Sequence, residues 1–378
     1  MNKKSAHAAP VKNIEKISFS KEIRKTGFVL ENGVAQKFKA AGWTVISNKY
    51  YVDDSEETVR EIDLIIYRCA KVKHFDVYTV LIISCKKSEE NVWAFLTREI
   101  NLKDPNSDWW PLHAWSNDKA IAYQLSRPTK GADYHKKLKE LGVNKVLDDP
   151  TVDVFAYQEM NKINGRPQND KAIFSAITSL MKAQSYELDS LPARKKSPSV
   201  YQFNLLSVVE TDLVRLMFSG EDIVESALET EHYLTRYILK KRETFSRIRF
   251  IQSSALEDTL GDYGQLHSAN CKWFAEEIDS FYLNLVQDSA RAAVFEPDFN
   301  QQIEFWMEVA LHKKISDIGP VTINWTKELN AVWLGVLVSE QEIKELNENQ
   351  RLVARAAALL KSIYRYEGKF SFAEDLPF

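Results

Sequence analysis

Between Gly27 and Gly42 the apolar residues Val34, Ala35, Phe38 and Ala41 recur at helical spacing, and Gly42 follows as a stop, so this stretch is expected to be a helix. The period then shortens. "WTVISNKYY" is β-rich, the acidic "VDDSEETV" reads as a polar loop, and "REIDLIIY" as a second strand. "DVYTVLIISCKK" makes a third strand, joined to the second by a hairpin around Lys71 to Phe75. A helical stretch is expected from about Ser88, then a Trp-rich loop, a helix near Asp118 to Leu125 and a strand in "VDVFAYQEM". "NDKAIFSAITSLMKAQ" sets Ile173, Ile177, Leu180 and Met181 on one helical face, with Asn169 or Asp170 as N-cap. This order, αβββαβα, describes an α/β sandwich with a mixed central sheet.

Beyond it the pattern predicts a second α/β unit. "VYQFNLLSVV" and "DLVRLMF" suggest a hairpin across Glu210 and Thr211, followed by a helix near Ala227 to Ile238 and the strand "SRIRFIQ". A long helix from about Gln265, a hairpin of "VTINW" with "AVWLGVLV", and a terminal helix opened by the capping-box pair Ser339 and Glu342 complete it. The punctuation of "LPARKKSPS" places a linker at 191–199, between a domain over 20–190 and an accessory domain over 200–378. Residues 1–19 read as a flexible basic tail.

Composition sharpens the partners. The 378 residues carry a formal net charge of −3, but positions 1–199 hold 32 basic and 25 acidic residues, against 18 and 28 from 200 onward. A basic half suits a polyanion, and an acidic half suits solvent or protein. No apolar run reaches the ~18 residues of a membrane span, and the opening "MNKKSAHAAPVKN" lacks the apolar segment of a secretory signal, so a cytoplasmic protein is expected. Cys69, Cys85 and Cys271 are too few and too scattered for a disulfide framework or a zinc cluster, and read as buried thiols. Walker-type loops, GxGxxG and nucleophile elbows are absent from the second half.

The candidate chemistry lies where charge enters apolar elements. Glu31 precedes Val34, Ala35 and Phe38 by three, four and seven residues and so shares their inward stripe. In the second strand Ile62, Leu64 and Ile66 alternate with Glu61, Asp63 and Ile65; in the third, Ser84 and Lys86 share a face with Val80 and Ile82, while Cys85 and Lys87 point oppositely. Glu31, Asp63, Ser84 and Lys86 are therefore expected to converge at one end of one sheet face. Two such carboxylates can hold Mg²⁺, and an adjacent ammonium can position water or stabilise developing negative charge. A Glu31–Lys86 ion pair with Asp63 capping a turn would satisfy the same spacing.

The helix glutamate, the aspartate of "REIDLIIY" and the strand "VLIISCKKS" resemble the PD-(D/E)XK restriction-endonuclease-like nuclease superfamily, in its Mrr and Holliday-junction-resolvase-like branch, over residues 20 to 185. The resemblance implies a restriction-endonuclease-like sandwich and a Mg²⁺- or Mn²⁺-dependent endonuclease acting on DNA or, less often, RNA, in a setting such as defence against foreign DNA. It makes Glu31 and Asp63 metal ligands and Lys86 the catalytic lysine, with Ser84 standing where a second acidic residue is usual. Glu61 could supply a displaced carboxylate, and Gln158 a supporting amide. A nuclease-like protein that binds or senses nucleic acid without cleaving it is the alternative, and the C-terminal half is expected to serve a homodimer or another protein partner, or substrate selection. Lys182 reads as a solvated or phosphate-meeting lysine. Trp93, Trp109, Trp110 and Trp115 read as loop packing or base stacking. His267 and Cys271, spaced i, i+4 without further ligands nearby, read as core.

Overall fold

The structure, a computed structural model, describes residues 18–53 and 57–375; the basic tail expected at the start falls almost wholly outside them. In chain order the elements are α1 (Phe19–Ile23), α2 (Gly27–Ala40), β1 (Thr44–Val52), β2 (Val59–Val72), β3 (Phe75–Lys87), β4 (Asn91–Glu99), β5 (His113–Ser116), α3 (Lys119–Leu125), α4 (Lys130–Glu140), β6 (Val152–Asn161) and α5 (Lys171–Arg194). There follow β7 (Ser199–Glu210), β8 (Leu213–Ser219), β9 (Asp222–Leu228), β10 (Thr230–Leu239), β11 (Arg242–Gln252), α6 (Leu256–Tyr282), α7 (Ser289–Ala293), α8 (Glu296–Leu311), α9 (Ile315–Ile318), β12 (Thr322–Thr326), β13 (Ala331–Val336), α10 (Glu340–Glu348), α11 (Gln350–Tyr364) and β14 (Phe370–Glu374).

The protein is a mixed α/β fold built on a seven-stranded sheet of order β1-β2-β3-β7-β11-β10, with β5 added along β7. β7 runs parallel to β3 and to β11, whereas β1–β2, β2–β3, β10–β11 and β5–β7 are antiparallel. Helices cover both faces. Leu64, Ile66, Leu81, Ile83 and Cys85 pack with Val34 and Phe38 of α2 and Phe274 of α6, while Ile65, Val80 and Ile82 pack with Ile173, Ile177 and Leu180 of α5. Burial on both faces explains the unbroken apolar run of β3. A four-stranded sheet, β6-β4-β8-β9, meets the larger one through Trp93 and Phe95 against Phe250, and a three-stranded sheet, β12-β13-β14, closes the C-terminal region.

Residues 191–199 do not separate one core from another. α5 continues through Arg194, and Ser199 already pairs with Asp76, so the chain crosses in a turn of four residues and returns as the strand beside β3. Strands from both sides of this turn share one sheet. The charge asymmetry is partly spent inside the molecule: Lys37, Lys73, Lys130 and Lys137 pair with Glu257, Asp279, Glu277 and Glu276 of α6, and Lys119 with Asp298 of α8.

Other expectations change too. The stretch from Ser88 is the strand β4, β7 and β8 belong to different sheets instead of one hairpin, and Ala227 to Ile238 lies in β9 and β10. The capping box at Ser339 and Glu342 is present, but the terminal helix breaks at Asn349, whose side chain accepts from the Leu352 amide and caps α11. Cys85 is buried, Cys271 partly so, and Cys69 is exposed. No helix among the described residues is long and apolar enough to cross a membrane.

Candidate active site at the fork of the central sheet

The β2–β3 ladder runs from Val72↔Phe75 to Leu64↔Ile83 and stops there. Beyond it β2 stays with β1 as far as Val52↔Val59, and β3 stays with β7 as far as Lys87↔Glu210. The sheet therefore forks, and Asp63 and Ser84 occupy the first rung that is not made. Asn48, opposite this point, has a left-handed φ of 56° and no partner in the β1–β2 register, a conformation that Asn tolerates better than most residues. The alternation of β2 slips at the same place. Ile62 packs with Ile65 in the α5-side core, whereas Leu64 and Ile66 pack on the α2 side, so the strict alternation expected for Ile62, Leu64 and Ile66 fails.

Asp63 fills the gap left by the missing rung. Its Oδ2 accepts the Cys85 backbone amide at 2.7 Å and the Ser84 hydroxyl at 3.4 Å, and lies 3.8 Å from the Lys86 ammonium. A carboxylate that replaces a ladder hydrogen bond is held in place by the strand it serves. Ser84 is buried and lines a narrow cleft with Ser179, Leu180 and Ala183 of α5, together with Glu61 and Asp63. Glu31 approaches from α2 on the other side. The four residues thus gather around the end of the sheet, with Asp63 between the two faces, instead of lying on one face.

Lys86 pairs with Asp63, and Glu31 makes no hydrogen bond or ion pair among the described residues, so the alternative Glu31–Lys86 pair is not formed. Burial pushes the Glu31 carboxyl above its ordinary range, the negative charges of Asp63 and Glu61 push it further, and Lys86 only partly offsets them. A half-buried carboxylate facing two others without a counter-ion is a suitable ligand for a divalent cation. The contacts of Asp63 all fall on Oδ2, which leaves Oδ1 to share such an ion. Mg²⁺ commonly takes one or two carboxylates and keeps several waters, so two such ligands can suffice; no group of three or more His, Cys, Asp or Glu suited to a metal occurs among the described residues.

Glu61 is exposed and accepts from Asn48 Nδ2 at 2.8 Å, which ties it to the β1 arm of the fork. Gln158 stands on β6 in the four-stranded sheet, and its amide donates to the Gln168 and Glu159 carbonyls, not to Asp63 or Lys86. Lys87 is engaged with Glu210 at 2.7 Å and Glu89 at 3.4 Å. Lys182 pairs at 2.7 Å with Asp53, which also accepts from Arg60 Nε at 2.8 Å; this buried carboxylate at the tip of the β1 arm lies in a stretch whose sequence reads as polar loop. Trp93 and Trp109 are buried and Trp110 and Trp115 half-buried, in keeping with packing. His267 Nδ1 lies 3.0 Å from the Thr79 hydroxyl and its Nε2 3.8 Å from Cys271 Sγ, which accounts for that pair within the core.

No known protein family, curated protein or solved structure matches this chain.

Proposed function

We propose that the protein is a metal-dependent nuclease that hydrolyses phosphodiester bonds, with DNA as the substrate. The supporting observation is the meeting of Glu31, Asp63 and Lys86 at the fork, where one carboxylate lacks a counter-ion and a lysine stands beside the other. Glu31 and Asp63 would hold Mg²⁺ or Mn²⁺, which supplies Lewis-acid stabilisation of the phosphoryl oxygens and a more acidic bound water. Lys86 adds positive charge where negative charge develops. Ser84 offers a neutral hydroxyl in place of a carboxylate, so it can orient water but adds little to the charge that attracts the metal. A role in defence against foreign DNA rests on the resemblance alone.

A second reading, a nucleic-acid-binding or sensing protein without cleavage, is favoured by the same Ser84, since its hydroxyl is buried and turned to Asp63. Incubating the full chain with DNA and with RNA, with and without Mg²⁺ or Mn²⁺, separates the two. Lys86→Ala should lower the cleavage rate by about 10²- to 10³-fold, the usual cost of one well-placed electrostatic group, and Ser84→Ala by less. Circular dichroism confirms that each variant is folded. Binding without metal-dependent cutting by the parent, or undiminished cutting by Lys86→Ala, favours the second reading.

A further inference from the structure

A second polar centre lies away from the fork, in a cavity of about 40 Å³ between β7, β10, β11, α4 and α6. Its walls include His135, His232, Arg247, Arg249 and Tyr263. Four buried side-chain atoms of these residues have no partner at hydrogen-bonding geometry among the described residues: Nδ1 of His135, Nδ1 of His232, Nε of Arg249 and the Tyr263 hydroxyl. Tyr263 is fully buried, His135 and Arg249 nearly so, and the Arg249 guanidinium lies 5.8 Å from the Tyr263 ring. Buried polar atoms are rarely left unmatched, and four around one cavity indicate that something absent from the protein chain completes them.

The hydrogen-bonding character of each atom specifies the occupant. His135 Nε2 lies 3.3 Å from the Pro111 carbonyl and His232 Nε2 3.1 Å from the Lys145 carbonyl, so in both rings Nε2 carries the proton. Burial, reinforced by Arg247, pushes both imidazoles down to about 3, so they are neutral at pH 7 and each Nδ1 is a bare acceptor. Arg249 Nε and the Tyr263 hydroxyl are donors. Arg247 gives its hydrogen bonds to the Asp148 and Trp109 carbonyls, and Arg249 reaches Asp262 only at 3.4 Å, so cationic charge in the walls is poorly matched by contacting carboxylates. The cavity asks for an anion that also donates a hydrogen bond. Its volume is roughly that of three water-sized places, which suits one small tetrahedral group.

We propose that this cavity binds a hydrogen phosphate group, with its oxygens on Arg249 and Tyr263 and its P–OH on a histidine Nδ1. Sulfate has the same shape and charge but no proton at neutral pH, so it would leave both histidine acceptors unmatched and set a lone pair against them. A site built this way discriminates between the two ions by an unpaired polar group, the strongest device available to a small pocket.

The test is isothermal titration of the full chain, without divalent metal, at pH 7.5 and constant ionic strength, using inorganic phosphate, sulfate and adenosine monophosphate. Phosphate is expected to bind at least ten times more tightly than sulfate. Tyr263→Phe should weaken phosphate binding about tenfold, with circular dichroism confirming that the variant is folded. Adenosine monophosphate, whose phosphoryl group carries almost no proton at pH 7.5, should bind as weakly as sulfate; binding as tight as that of phosphate would mean that the P–OH is not recognised and overturns the proposal. Binding of none of the three, equal affinity for phosphate and sulfate, or an unchanged affinity in Tyr263→Phe overturns the proposal. The comparison of phosphate with sulfate on the parent protein stands independently of the variant. Metal-dependent cleavage at the fork does not enter this measurement, so the two proposals fail separately.

Discussion

Glu31 is a carboxylate half withdrawn from water and set against the charges of Asp63 and Glu61, so without a cation it destabilises the fold that holds it. Its folded pKa lies above the unfolded value, so the folded state holds this proton more tightly. Stability therefore falls as the pH rises from the ordinary glutamate range through the raised value, and stays low above it. Glu31→Gln removes this cost. The variant should melt higher than the parent at pH 7 without metal, by less than about 1 kcal/mol because solvent screens a partly exposed group, and the advantage should vanish below about pH 4. Mg²⁺ should raise the melting temperature of the parent and not of the variant. Melting curves at both pH values check this, and a variant no more stable than the parent at pH 7 would mean that Glu31 is already neutralised. The approach of Asp63, Ser84 and Lys86 was legible because the ends of neighbouring strands lie close in sequence, but the single face expected to hold them with Glu31 was not formed. The slip at Asn48 was not legible, since nothing in "ISNKYY" distinguishes a regular strand from one that bends away at a left-handed residue. His135, His232, Arg249 and Tyr263 escaped for a related reason: they come from four separate elements, and no spacing in the chain joins them.

At the scale of elements, one buried amide on α6 links two strands of the sheet and α4. Asn270 donates to the Thr79 hydroxyl on β3 at 2.9 Å and to Gln202 Oε1 on β7 at 3.0 Å, and accepts from the Tyr134 hydroxyl on α4 at 2.8 Å. Asn270→Ala leaves the Tyr134 hydroxyl buried and unmatched, whereas Thr79 keeps His267 and Gln202 Oε1 keeps Asn204, so it should cost about 1–3 kcal/mol, read as a lower urea midpoint with an unchanged slope. A loss below about 0.5 kcal/mol would show that water replaces the amide. The elements misread from sequence have a common cause. "SALETEHYLTRYI" contains good helix formers, yet β10 pairs with β11 along ten residues, from Thr230↔Ile251 to Leu239↔Arg242, and this pairing outweighs local preference. β4 likewise is gripped by β6 on one edge and β8 on the other. The helices α2, α3 and α5 were legible because each carries its own apolar face or cap, as Asp118 does by accepting from the Ile121 amide.

For the whole molecule, the division at 191–199 failed because a break in composition marks a turn as readily as a boundary between domains. A chain ending at residue 199 would lose β7, β10, β11 and α6, and with them the neighbour of β3 and much of one sheet face. Such a fragment should show no cooperative thermal transition and should aggregate; mixing it with residues 200–378 during refolding should restore the transition. A fragment that melts cooperatively alone would contradict this account. The opposite charges of the two halves are drawn together along α6, so some of what the sequence offered as an outward-facing basic half is complementarity within one body.

The pairing of β3 with β7 also has a timetable. β2 and β3 emerge from the ribosome together and can close their hairpin at once, but the strand that covers the other edge of β3 arrives about 120 residues later. At ordinary rates of synthesis that is roughly 6 to 24 seconds. Throughout it, β3, with its apolar run from Val80 to Ile83, presents an unpaired edge to every other nascent chain, the circumstance in which strands associate wrongly. Translation speed and the supply of chaperones should therefore govern the yield of this protein more than the stability of the finished fold does.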